Sequence, residues 1–155
     1  MLIKLDKICS SCLSNHVAKR ASTRQGRSLA VAAAKVYDGV PVLPELMSAI
    51  DEDGIMEGHF AVVFGAVCGA LSLDLHPTVL MFLFGSLQTV IASAVRLGHV
   101  GPMEAQKLQF VCQGLIPSIA GWSSKMSVDD VHIRWPLVDT VQNCHDTMFS
   151  KLFYS

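Results

Sequence analysis

The sequence predicts an all-α protein, an irregular bundle of helices joined by short connections. Apolar residues recur with helical spacing over most of the chain. The valine and isoleucine residues lie inside these helical periods, and none of them forms the alternating run that indicates a strand. A chain of 155 residues is long enough to bury a core, so we expect one domain over residues 1–155.

The N-terminal third is predicted to be mostly helical. Helical spacing extends over residues 2–37, interrupted by the charged segment that contains Gly26, and Gly39 is the expected stop. A short helix is expected over residues 43–50. Residues 51–59, DEDGIMEGH, are acidic and contain glycine, which predicts an exposed loop.

The most apolar helices are predicted in the middle of the chain, over residues 60–73, 77–97 and 103–122. The second of them begins near Pro77, which suits a first turn. Its end carries Arg96, a cation that the helix dipole favours, and Gly98, a suitable residue just beyond the last turn. Pro117 is expected to kink or end the third helix.

The C-terminal part is predicted to contain a polar loop and one final helix. Residues 123–136 are predicted to form a loop with at most one helical turn. The acidic pair Asp129 and Asp130 is predicted to be part of a solvated turn. The last helix is expected over residues 137–152.

The composition is unusually apolar, with 51% hydrophobic and only 16% charged residues, and a net charge of -1. This balance excludes an electrostatic nucleic-acid binder. Two classes of protein are compatible with this composition: a membrane protein, and a soluble subunit whose apolar faces are covered by partners. The runs over residues 60–73 and 79–95 are shorter than the about 20 apolar residues that a spanning helix needs, so the second class is favoured. A small two-helix membrane protein stays an alternative.

The cysteine pattern offers a second alternative, a metal-binding module. Cys9, Cys12 and His16 would share one face of a straight helix and could act as metal ligands. A structural zinc site needs a fourth ligand, however, and the two cysteines also lie on the apolar stripe, so core cysteines are favoured. The adjacent pair Cys144 and His145 would diverge by about 100° on a helix and does not form a chelating pair.

No sequence motif indicates an active site. The chain contains no GxSxG, GxxxxGK[ST] or GxGxxG pattern, and no serine or cysteine stands in a recognisable arrangement with a histidine and an acid. We therefore expect no enzymatic activity.

Four segments together resemble a known family. They are LDKICSSCLSNHVAKRASTRQGRSL (residues 5–29), HFAVVFGAVCGALSLDL (59–75), SAVRLGHVGPMEAQKLQ (93–109) and PLVDTVQNCHDTMFSKLFYS (136–155). In content, order and spacing they are similar to the urease accessory proteins of the F type, UreF, in the eukaryotic branch. The chain begins near the middle of the family pattern, and we expect residues 1–155 to correspond to its C-terminal two-thirds.

The resemblance implies an all-α UreF-like fold and a cytosolic, non-enzymatic chaperone for nickel insertion into apo-urease. It implies that the chain forms a homodimer, binds an accessory protein of the D/H type and recruits an accessory GTPase of the G type. No cofactor would be bound firmly, because the assembled complex would handle the nickel. Neither a nucleic acid nor a membrane is an expected partner.

The resemblance also gives candidate partner-binding residues in two places. The first is the corner between the two helices around Gly98, and the second is the C-terminal tail. The corner residues are Arg96, Gly98, His99, Gly101 and Gln106, and the tail residues are His145, Phe149, Lys151, Phe153 and Ser155. Direct nickel ligation by His59, His99 or the pair Cys144 and His145 is a further alternative.

Overall fold

A computed structural model describes residues 1–51, 54–132 and 135–148, and these residues form helices without any strand. The all-α prediction is therefore confirmed. The described residues fall into two compact units. The first unit contains residues 1–73 and the segment from residue 131 onward, and the second unit contains residues 74–130. The single domain remains a prediction.

The helices are numbered in chain order. In the first unit they are α1 (Leu2–Cys12), α2 (His16–Val36), α3 (Val42–Asp51), α4 (Phe60–Ala70) and α8 (Pro136–Asn143), followed by a 3-10 turn (Cys144–Thr147). In the second unit they are α5 (Leu75–Arg96), α6 (Pro102–Gln113) and α7 (Ile116–Ser123), followed by a 3-10 turn (Val128–Asp130).

The break in the N-terminal helix lies at Asn15, not in the charged segment around Gly26 as predicted. The Asn15 side chain accepts hydrogen bonds from the backbone N–H groups of Val17 and Ala18, at 2.9 and 3.2 Å. This is an N-cap, and it starts α2 afresh after α1 has ended. Gly26 is instead a buried residue within α2.

The core of the first unit lies where α2 packs against α3 and α4. The contact surface of α2 is formed by small residues, which let the neighbouring helices approach closely. The buried members of this core are Ala30, Ala33, Leu43, Leu46, Met56, Val63 and Val67.

The segment before α4 corrects a second prediction. Within residues 51–59, which were expected to be an exposed loop, Met56, Gly58 and His59 are buried. The apolar Met56 joins the core. The backbone of the other two residues is hydrogen-bonded to Asp6 of α1, which removes the usual cost of burying a loop.

In the second unit, α5 packs against α6 and α7. The buried residues belong to α6 and α7, namely Ala105, Ile116 and Ala120, whereas α5 buries none. The helix predicted over residues 103–122 is in fact two helices. The chain breaks between Gln113 and Ile116, and Pro117 lies in the first turn of α7.

The remaining helix ends differ from the predictions in smaller ways. The helix predicted over residues 60–73 ends at Ala70. Among its described residues, the polar loop contains a 3-10 turn at Val128–Asp130. The final helix, predicted to reach residue 152, ends at Asn143 and passes into a 3-10 turn, and residues 149–152 lie outside the described part.

Candidate functional site

The predicted corner is a well-formed helix end. Leu97 caps α5, and Gly98 follows with φ +73°, a left-handed conformation that glycine adopts without strain. The N–H of Gly98 donates to the Val95 carbonyl and the N–H of His99 donates to the Ala94 carbonyl, each at 3.0 Å. These two bonds form a Schellman motif, which satisfies carbonyl groups that a helix end otherwise leaves open.

The next helix starts directly after this turn. Gly101 is the N-cap of α6, and Pro102 occupies the first helical position, as expected. The corner is thus fully explained as a turn. The structure also brings the predicted corner residues together at the surface, where Arg96, Gly98, His99, Gly101 and Gln106 are all exposed.

The two helices that meet at this corner carry large apolar side chains that are exposed. Met103 and Phe110 of α6 are 78% and 73% exposed, and Val90 of α5 is 68% exposed. Patches of exposed apolar residues on this scale mark surfaces that bind another protein or a membrane. The corner thus joins two helices that both expose large apolar side chains.

One helix of the described chain, α5, is long and apolar enough to cross a membrane by length and composition alone. The predicted two-helix membrane protein would need α4 as its second span. That helix is shorter, and it buries Val63, Val67 and Cys68 within the first unit. The packing of α4 therefore speaks against a membrane hairpin.

A buried polar cluster lies in the first unit, between α1, α2 and the start of α4. Asp6 is only 1% exposed, and its carboxylate accepts hydrogen bonds from three consecutive backbone N–H groups. These belong to Glu57, Gly58 and His59, at 2.6, 3.3 and 2.9 Å. Ser22 of α2 adds its hydroxyl, which lies 3.2 Å from His59 Nδ1 and accepts the N–H of Phe60 at 3.2 Å.

This cluster accounts for Ser22 and Gly26 in the segment over residues 5–29, on which the resemblance to UreF rested in part. Ser22 and Gly26 are four residues apart, so they share one face of α2. Both meet the segment that leads into α4: Ser22 through its hydroxyl, and Gly26 through the close approach of Gly58. Sequence reasoning did not identify Asp6 or Ser22, since their partners lie far away along the chain.

The alternative of a CxxC and histidine metal module finds no support in the geometry. Among the described residues, no group of three or more His, Cys, Asp or Glu side chains could hold a metal ion. His16 Nε2 lies 2.8 Å from Asp146 Oδ2. Burial raises the pKa of the Cys9 thiol, and the negative charge of Asp6 raises it further. Since the thiolate is the metal-binding form, both effects disfavour a ligand role for Cys9.

The other candidate nickel ligands belong to different elements of the chain. His59 is fully buried, His99 is exposed at the corner, and Cys144 and His145 lie in the C-terminal 3-10 turn. Cys9 and Cys12, which were expected in the core, are only partly buried, whereas Cys68 is buried. All five cysteines are free thiols.

The predicted tail is described only in part. His145 is half-buried in the 3-10 turn, while Phe149, Lys151, Phe153 and Ser155 lie outside the described residues. The segment before them contacts α2, because Asp146 pairs with Arg20 and His16. No local motif in the sequence indicates this contact.

Comparison with known proteins gives a consistent result. The sequence profile of the UreF family matches residues 1–113. Urease accessory protein F of Oryza sativa subsp. indica is 33% identical over 152 residues, which cover 97% of this chain and 58% of the relative. The protein of the same name from Arabidopsis thaliana is 35% identical over 152 residues, covering 98% and 63%. Urease accessory protein UreF of Trichodesmium erythraeum is 32% identical over 143 residues, covering 88% and 59%.

These relatives are named as accessory proteins and not as enzymes, in agreement with the expectation of no catalysis. The chain spans 58% to 63% of the length of the plant relatives it matches. No solved structure matches the chain. The family match over residues 1–113, the relatives across almost the whole chain and the all-α fold together show that this chain belongs to the UreF family of urease accessory proteins.

Proposed function

We propose that this chain is a cytosolic, non-enzymatic scaffold for the insertion of nickel into apo-urease. In this role it forms a homodimer and bridges a D/H-type accessory protein and a G-type accessory GTPase. Nickel is the cargo of the assembled complex, and this chain binds no resident metal. The main support is membership of the UreF family, whose plant members carry the name urease accessory protein F.

The observation that best supports a scaffold is the surface of the second unit. Its longest helix, α5, buries no residue, and Met103 and Phe110 of α6 are mostly exposed. A chain that presents this much apolar surface needs partners to cover it. The corner residues Arg96 and His99 lie at the end of α5, where a charged group and an imidazole give the surrounding apolar contact its specificity.

The test is assembly from purified components. The full chain is mixed with the D/H-type and G-type accessory proteins from the same source, and the complexes are separated by size-exclusion chromatography. We expect the chain to enter a complex with both partners. If it elutes alone while the two partners are competent with another UreF protein, the proposed function is wrong for this chain.

Two sets of variants then locate the contacts. Arg96→Ala and His99→Ala should weaken assembly, whereas Asp129→Ala, an exposed change in the same unit, should leave it unchanged. Deletion of residues 149–155 should abolish binding of the D/H-type protein while far-UV circular dichroism stays almost unchanged. Equal binding by the deletion variant would contradict the tail assignment.

A further inference from the structure

The last described segment of the chain, α8 with its 3-10 turn, is attached to α2 mainly through polar contacts. Apolar residues of α8 do not form its attachment, because Leu137, Val138 and Val141 are 81%, 60% and 65% exposed. No residue of α8 or of the turn is buried. The position of this segment therefore depends on a small number of hydrogen bonds and ion pairs.

The strongest of these contacts converge on Asp146. Arg20 of α2 binds the carboxylate with two nitrogens, Nη2 at 2.7 Å from Oδ1 and Nη1 at 3.2 Å from Oδ2. His16, the first residue of α2, adds Nε2 at 2.8 Å from Oδ2. A two-pronged arginine contact fixes both the distance and the orientation of a carboxylate. We call Asp146, Arg20 and His16 the Asp146 cluster.

A second contact holds the same segment from its other end. Asn15 Nδ2 donates to the backbone carbonyl of Asp139 at 3.0 Å and to Gln142 Oε1 at 2.9 Å. Asn15 is only 1% exposed, and its other side-chain atom caps α2. The N-terminus of α2 thus serves as one rigid platform on which both α8 and the 3-10 turn are fixed.

Asp146 stands three positions before residues 149–155, the part of the tail in which the proposed function places the contact with the D/H-type protein. We infer that Asp146 is a positioning residue: its contacts with Arg20 and His16 hold residues 136–148 on α2 and so prepare the tail for its partner. A tail with a fixed origin loses less conformational freedom on binding than one attached to a free segment. When the segment is released, only the fraction of molecules with a docked segment binds at full strength. This inference rests on the proposed function.

The first measurement tests the docking itself and needs no partner. Hydrogen–deuterium exchange of the full chain, read by mass spectrometry, compares wild type with Asp146→Asn. The variant should exchange faster over residues 136–148 and equally over α3 and α4. Asp139→Asn is the matched control, because it removes the same charge from the same segment while Asp139 touches Asn15 only through its backbone carbonyl. Unchanged exchange in Asp146→Asn would overturn the inference.

The second measurement tests the consequence for binding, as the dissociation constant for the purified D/H-type protein. Asp146→Asn should weaken binding roughly fivefold, a size suited to a partly exposed ion pair, and Asp139→Asn should not. Arg20→Gln should match Asp146→Asn. Arg20→Lys, which keeps the charge but loses the two-pronged contact, should fall between Arg20→Gln and wild type.

The outcomes separate the two claims. Faster exchange with unchanged or tighter binding would show that the docked segment does not position the tail, and would overturn the inference. Equal binding by Arg20→Lys and Arg20→Gln would contradict the two-pronged contact. If the wild-type chain fails to bind the D/H-type protein at all, the proposed function fails and the positioning role fails with it, while exchange still shows whether the Asp146 cluster holds the segment.

Discussion

Gly26 of α2 lies so close to the carbonyl oxygen of Gly58 that a methyl group on Gly26 would overlap with that oxygen. The same methyl group would stand 3.0 Å from the carbonyl carbons of Gly58 and His59. All of these are backbone atoms, which cannot move aside as a flexible side chain could. The segment before α4 therefore requires a glycine at this point of α2.

Gly26→Ala should destabilise the chain by roughly 2–3 kcal/mol, because the new methyl group forces two backbones apart in a packed core. The direction of this change in unfolding free energy distinguishes crowding from helix propensity. Where space is free, alanine is the better helix former by about 1 kcal/mol and would stabilise the chain. The measurement is the free energy of unfolding from urea titration followed by circular dichroism.

Gly65 supplies the matched control for this substitution. It lies within α4, and a Cβ built there meets no atom within 4 Å. Gly65→Ala should therefore be neutral or stabilise by up to about 1 kcal/mol. If both alanine variants were equally stable, the close contact between Gly26 and Gly58 would be refuted.

Asp6→Asn should cost roughly 2–3 kcal/mol in unfolding free energy, although the side chain keeps its shape. One carboxylate oxygen becomes an NH₂ group, which cannot accept a hydrogen bond, so a buried backbone N–H of Glu57, Gly58 or His59 loses its partner. Asp38→Asn, a change at an exposed position, should shift stability by less than about 0.5 kcal/mol. A similar small shift at Asp6 would mean that this carboxylate does not hold the segment before α4.

Glu57 should make part of the stability depend on pH. Hydrogen bonds from Ser10 and Lys19, and the charge of Lys19, hold the pKa of Glu57 below its ordinary value of 4.5. Because the pKa is lowered in the folded state, the unfolded state takes up the proton first as the pH falls. The stabilisation is present in full above the unfolded pKa and is lost as the pH falls through the lowered folded pKa.

Urea titrations at several pH values test this linkage. The difference in unfolding free energy between wild type and Glu57→Gln should be constant near neutral pH and shrink below about pH 5. Ser10→Ala should reduce this pH dependence, since it removes the hydrogen bond with the largest effect on the pKa of Glu57. A difference that does not change with pH would rule out the coupling.

Gly98→Ala should destabilise the second unit by about 1 kcal/mol through backbone conformation alone. The residue has φ +73°, and a Cβ placed there meets no atom within 4 Å, so crowding plays no part. Asparagine tolerates this conformation better than alanine. Gly98→Asn should thus recover part of the loss in thermal unfolding, and equal losses in the two variants would argue against a conformational cause.

Local chemistry explains why some elements were predictable. The end of α5 followed from Arg96 and Gly98, because the residues that close a helix lie within one turn of it. The start of α6 followed from Pro102 for the same reason. The break between α1 and α2 was misplaced, since Asn15 carries a capping signal that the charged segment around Gly26 obscured.

Long-range contacts explain why other features were missed. His59 was predicted to be exposed because its neighbours are acidic and contain glycine, yet Asp6 satisfies the backbone there across 53 positions of sequence. Asp146 and its partner Arg20 are separated by 126 positions. No periodic pattern or local motif in the sequence indicates contacts between residues so far apart.

The sequence by itself determined the all-α class, the family and the chemistry of the corner, since helical periodicity and helix-end residues act over a few positions. Only the tertiary structure decided that Gly26 lies against Gly58, that His59 is buried, and that Asp146 contacts Arg20 and His16 of α2. Each of these depends on backbone or side-chain atoms brought together from distant parts of the chain, where packing and hydrogen bonding, and not local propensity, set the result.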